Sequence, residues 1–104
     1  MMDGYQFIDS ARSAWRKSKF ADGVQVKYLG TANGRSMQLV RYEAGASFPL
    51  HTHEGPEFIY LLEGEAFQQG QRLLPGWATV AATGTVDENF HSPNGCLFLT
   101  VYSD

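Results

Sequence analysis

The chain has 104 residues, enough for one domain with one hydrophobic core. Hydrophobic residues at 43% and charged residues at 18% give the balance of a globular protein rather than a disordered tail. A net charge of -3 speaks against a nucleic-acid binder, whose domain carries a basic patch.

The single cysteine, Cys96, rules out an intramolecular disulfide and fits a reducing compartment. Nothing at the N-terminus reads as a signal peptide, and no run is long enough to span a bilayer, so the expected location is cytoplasmic with no membrane partner. Residues 1–20 carry little pattern and are expected to form an arm with one short amphipathic turn, packed onto the body by Trp15 and Phe20. The densest basic group, Arg16-Lys17-Ser18-Lys19, reads as solvated surface.

From Val24 to Tyr102 the signal is β. Val24, Val26 and Tyr28 alternate with polar residues, and Asn33-Gly34 predicts a hairpin into a strand over 37–42. A strand over 48–53 contains Pro49, which implies an edge or a bulge. Residues 57–63 are apolar on both faces, with Ile59 and Leu61 sharing the face of Glu57 and with Phe58, Tyr60 and Leu62 on the other. Short strands follow over 65–69 and 77–82. A polar, turn-rich segment spans 83–95, and a last strand covers 96–102. Short strands with frequent Gly and Pro punctuation mean an all-β sandwich or barrel. No strand, Gly-rich turn and helix occur in sequence, which excludes a nucleotide-binding α/β fold, and no G-x-S-x-G is present.

The chemistry concentrates in residues 45–64, GASFPLHTHEGPEFIYLLEG. His51 and His53 are two apart, so a strand aims both imidazoles at one point. A turn at Glu54-Gly55-Pro56 lets the next strand bring Glu57 to the same point. Two imidazoles and a carboxylate on one side of a sheet make a facial metal site with open positions.

The spacing Gly45, His51, His53, Glu57, Gly64 fits the first cupin motif, G-x5-H-x-H-x3-E-x6-G, without a gap. The chain is similar to the cupin domain of ChrR-type anti-sigma factors at Trp15, Gly23-Val24, Lys27, Leu29, Gly34, Arg41, Pro49, the HTHEGPE run, Pro75-Gly76 and Gly95-Cys96. The resemblance implies a single cupin domain over 1–104, with an arm over 1–20 and a jelly-roll β-barrel over 24–102. It also implies one divalent metal ion (Fe, Zn, Mn or Ni) and a homodimer, for which Phe58, Tyr60 and Leu62 offer a face. The second motif, P-x-G-x2-H-x3-N, is altered. With Thr83-Gly84 set on its proline-x-glycine, Asp87 occupies the histidine slot and His91 the asparagine slot. On an extended strand Asp87 and His91 have the same parity, so either can be the fourth ligand, and imidazole chemistry favours His91.

The expected function is therefore that of a small metal-dependent enzyme, dioxygenase-like, acting on a small organic molecule. The alternative is a non-catalytic metal- or small-molecule-binding or stress-sensing module related to ChrR-type cupins. No His/Cys cluster precedes His51 to form an anti-sigma domain, so an anti-sigma role on its own is not expected. Cys96 reads as a small buried hydrophobe, and Tyr42, Phe67 and Trp77 as barrel filling.

Overall fold

The computed structural model describes residues 4–103; residues 1–3 of the expected arm, and residue 104, lie outside them. The strands are β1 (Arg16–Lys17), β2 (Val24–Ala32), β3 (Arg35–Tyr42), β4 (Ala46–Phe48), β5 (His51–Thr52) and β6 (Glu57–Gly64). They continue with β7 (Ala66–Gln68), β8 (Gln71–Leu73), β9 (Ala78–Ala81), β10 (Val86–Asp87), β11 (Phe90–Ser92) and β12 (Cys96–Ser103). The arm contributes one 3-10 turn, Ser10–Arg12, whose first free amide is capped by Asp9. No helix of the described residues is long and apolar enough to cross a membrane.

Three antiparallel sheets result. A six-stranded sheet has the order β1-β2-β3-β12-β6-β9, a four-stranded sheet the order β4-β11-β7-β8, and β5 pairs with β10 in a short ribbon. Among the described residues the pairings do not run on from sheet to sheet. The architecture is the all-β jelly roll expected, its strands arranged as a β-sandwich.

Local sequence explains the elements. Asn33 and Gly34 both have positive φ, 52° and 75°, which gives the β2–β3 hairpin the twist its strands need. Along β6, Ile59 and Leu61 are buried, while Phe58, Tyr60 and Leu62 are each at least 40% exposed. Pro49 interrupts the expected strand over 48–53: β4 stops before it and pairs with β11, and β5 resumes after Leu50 and pairs with β10.

The core lies where the two larger sheets face each other. Tyr42 and Phe98 from the six-stranded sheet meet Phe90 from the four-stranded one, with ring centroids 5.2–5.7 Å apart. Such aromatic pairs contribute roughly 0.5–1.5 kcal/mol each beyond the area they bury. Leu61, Ala66 and Leu73, each at most 1% exposed, belong to the same cluster. Outside, Trp15 packs the arm on the sheet by lying beneath Lys27 and Arg41, at 4.9 and 4.1 Å from its ring centroid. Phe20 behaves differently from expectation: it is largely exposed and touches the body through the Phe48 ring at 6.4 Å.

Two glycines of the first motif test this account. Gly45 has φ +86° and open space around it, whereas Gly64 has φ +81° and a Cβ there would meet the Gly95 carbonyl oxygen and the Cys96 Cα. Gly45→Ala should cost about 1 kcal/mol from the positive φ alone. Gly64→Ala should cost about 3 kcal/mol, because strain and a backbone clash combine. Thermal unfolding of the two variants reads the difference directly, and equal Tm losses would contradict it.

Candidate metal centre

Four side chains from three segments converge at one end of the sandwich. β5 carries His51, and His53 follows it, held in register by backbone bonds from its own N–H to the Thr85 carbonyl and from Gly84 N–H to its carbonyl. Glu57 opens β6. Asp87 ends β10, directly opposite His51 in the β5–β10 pairing. Ligand atoms of His51, His53 and Asp87 lie within 4.8 Å of one another, and Glu57 Oε1 is 3.2 Å from His53 Nε2.

Each imidazole is fixed by the nitrogen that faces away from the cluster. His51 Nδ1 is 3.0 Å from the Pro49 carbonyl oxygen, which can only accept, so Nδ1 carries the hydrogen. His53 Nδ1 is 2.8 Å from Thr85 Oγ1. The Thr85 hydroxyl donates its own hydrogen to the Ala82 carbonyl, so it accepts from Nδ1. Both histidines therefore hold an Nε2 lone pair free, the tautomer a metal ligand requires.

The carboxylates are prepared in the same way. Gln68 donates to Asp87 Oδ2 at 3.0 Å, while Asp87 Oδ1 is buried without a partner, as is His53 Nε2 apart from Glu57. Two lone pairs 3.2 Å apart, on His53 Nε2 and Glu57 Oε1, repel unless a proton or a cation lies between them. Buried, unpartnered nitrogen and oxygen atoms aimed at one point are the donor set of a mid-series divalent metal. The residues fit the group.

Electrostatics agree. Burial raises the Glu57 pKa, with nearby His53 and His51 opposing the rise and Asp87 adding to it. Burial also raises the Tyr42 phenol far above its usual range, with Cys96, Asp87 and Glu57 adding to the effect, so Tyr42 keeps its proton at any working pH. Tyr42 lines a cavity of about 430 Å³ between the sheets, which reaches His51, Glu57 and Asp87. A smaller cavity of about 240 Å³ lies on the other side, against His53, Gln68, Thr85 and Asp87. Asp87 borders both cavities.

His91 does not join the cluster. It sits in β11 between buried Phe90 and Ser92, points to the outer face of its sheet and stacks on Phe67 at 5.2 Å. The strand breaks between the two residues, since β10 ends at Asp87 and β11 begins at Phe90, so the parity count across 87–91 does not carry over and only Asp87 lies with the ligand atoms of His51 and His53. Tyr42 lines the cavity, whereas Phe67 faces outward with His91 and Trp77 is partly exposed. Cys96 is free and buried, and burial raises its thiol pKa, which leaves it an inert core residue. Thr85 and Gln68, which orient His53 and Asp87, carried no signal in the sequence.

The family model described as the ChrR cupin-like domain matches residues 4–103. The chain belongs to that family. No curated protein matches it. Among solved structures, an acetylacetone dioxygenase from Acinetobacter johnsonii superposes with a TM-score of 0.82 at 18% identity, over 99% of this chain and 75% of that one. The polyketide cyclase RemF from Streptomyces resistomycificus gives 0.84 at 21%, over 95% and 79%. A chain of the Rhodobacter sphaeroides complex of SigE with the anti-sigma ChrR gives 0.77 at 21%, over 89% of this chain and 50% of that one. At these identities the likeness is one of fold.

Two variants test the site's construction. Thr85→Val removes the acceptor for His53 Nδ1–H and should weaken zinc binding about ten-fold by titration calorimetry, as loss of an orienting hydrogen bond commonly does. Glu57→Gln acts on stability. A carboxylate whose folded pKa is raised favours the fold below its unfolded pKa, near 4.3, and costs stability once pH rises through the folded value. Metal-free Glu57→Gln should therefore unfold at a higher temperature than the wild type at neutral pH, with the gap closing toward pH 4.

Proposed function

We propose that this chain binds one divalent metal ion through His51, His53, Glu57 and Asp87, and that it is a small mononuclear metal-dependent enzyme, dioxygenase-like, acting on a small organic molecule. One observation carries this reading: both imidazoles have their Nδ1–H groups tied off, leaving Nε2 and the buried Asp87 Oδ1 to converge at the end of an apolar cavity. A metal bound there supplies Lewis-acid or dioxygen chemistry.

The chain's own residues define the rest. The Pro49 carbonyl, Thr85 and Gln68 orient three of the ligands before any metal arrives, which lowers the reorganisation that binding costs. Phe48 and Phe90 line the chamber with apolar surface and limit water, and Tyr42 offers a hydroxyl at the wall. Two carboxylates with two imidazoles make a harder donor set than three imidazoles, which suits divalent iron, manganese, nickel or zinc. Protons compete with the metal for the imidazoles, so affinity falls as pH drops through about 6.5.

The family match over residues 4–103 supports a second reading, a metal-dependent binding or stress-sensing module. The proposal also takes the chain as one domain of a cytoplasmic protein and as a homodimer. Phe58, Tyr60, Leu62 and Val80, neighbours on the outer face of β6 and β9, support the dimer.

Metal analysis of the purified protein, followed by dioxygen uptake by the Fe(II) form with diketones and flavonols, separates the readings. The enzyme reading predicts one metal per chain and uptake with at least one substrate; metal without uptake favours the binding module. Asp87→Ala should lower metal occupancy strongly and His91→Ala should leave it unchanged. The reverse result would overturn the ligand set. Sedimentation of a Tyr60→Lys variant should show monomer where the wild type shows dimer.

A further inference from the structure

The larger cavity holds two features that metal binding does not use. The first is a basic segment on its lining, β1 and the residues after it, called the basic strand below. Arg16 and Lys17 of β1, which pairs with β2, and Lys19 just beyond it, three of the chain's eight Lys and Arg residues, line the cavity. All three are exposed, and among the described residues none of them forms a salt bridge. The acidic residues that line the cavity, Glu57 and Asp87, belong to the cluster with His51. Three cations on an otherwise acidic chain thus edge an apolar chamber with no internal partner.

The second feature is Thr100. It lies on β12 facing the cavity, is 5% exposed, and its Oγ1 is buried with no hydrogen-bond partner. A buried hydroxyl left unpaired costs roughly 1–3 kcal/mol. Its strand neighbours are Gln38 and Ile59, both of which also line the chamber. Most of the remaining wall is apolar, and the volume of about 430 Å³ falls within the small-molecule range of roughly 300–1,000 Å³.

We infer that the chamber binds a small organic acid, with its carboxylate on the basic strand, its apolar body between the sheets and a hydroxyl or carbonyl oxygen on Thr100. This deepens the enzyme reading by naming the substrate class, and rests on it only for what happens at the metal end. The carboxylate end is held by exposed cations, where salt and water screen each pair, so the three act together rather than singly. The oxygen end is specific, because a ligand lacking that oxygen leaves Thr100 unpaired.

The test is calorimetric binding of 4-hydroxybenzoate, benzoate and neutral 4-hydroxybenzamide to the metal-loaded protein at low salt, with metal content measured on the same samples. The acid should bind about ten-fold more tightly than its amide, and the triple variant R16Q/K17Q/K19Q should abolish that preference without weakening the amide. Thr100→Val should weaken 4-hydroxybenzoate several-fold and leave benzoate unchanged. Equal binding of acid and amide, an unaltered preference in the triple variant, or no binding of any probe would overturn the inference. His53→Ala separates it from the metal reading. If metal is lost and the preference for the acid survives, the carboxylate sits on the basic strand. If the preference disappears with the metal while the triple variant keeps it, the carboxylate was a metal ligand and the inference fails.

Discussion

Two residue pairs, Asp87 opposite His51 and Val86 opposite Thr52, join the two halves of the site. The ribbon they form is short, yet it sets the donor atoms of His51, His53 and Asp87 within 4.8 Å of one another. Its neighbours extend it without further strand: the backbone bonds between His53 and the Gly84–Thr85 turn continue the register for one more residue. The Thr85 hydroxyl then orients the His53 ring. Position along the backbone and orientation of the ring thus come from one local structure, which is why the imidazole needs no metal to find its rotamer.

Much of this was legible in the chain. The spacing from Gly45 to Gly64 is physically determined at each position: two histidines on one face, a carboxylate across a turn, and glycines where φ is positive or backbones approach closely. The hairpin at Asn33-Gly34 and the split faces of β6 follow from turn chemistry and alternation. Less legible was the segment over 83–95. Its polar, turn-rich composition conceals β10 and β11, which are too short to show a period. Counting parity from Asp87 to His91 assumed one continuous strand, and the break at residues 88–89 turns His91 to the outer face. Thr85 and Gln68 act through partners 32 and 19 residues away, a relation that no local pattern encodes. The basic run at residues 16–19 read as solvated surface. Its basic residues are indeed exposed, but the run, of which Arg16 and Lys17 pair with β2, also lines the chamber.

The cluster is held at a cost to the fold. Asp87, His53 and part of Glu57 are withdrawn from water, and burial raises the Glu57 pKa. Stability is supplied elsewhere, by the aromatic contacts of Tyr42, Phe90 and Phe98 and by Leu61 and Leu73 in the same core. Buried polar groups that fail to satisfy one another within the chain are characteristic of sites that await a ligand. Here Asp87 Oδ1 and Thr100 Oγ1 are two such groups on the wall of one chamber, with His53 Nε2 beside the first and His91 Nδ1 apart from them in β11.

The most direct test is a crystal structure of the protein grown with excess metal, with anomalous data collected across the metal's absorption edge. One peak per chain is expected, bonded to Nε2 of His51 and His53 and to carboxylate oxygens of Glu57 and Asp87. A peak coordinated by His91, or no peak among these four residues, would contradict the account.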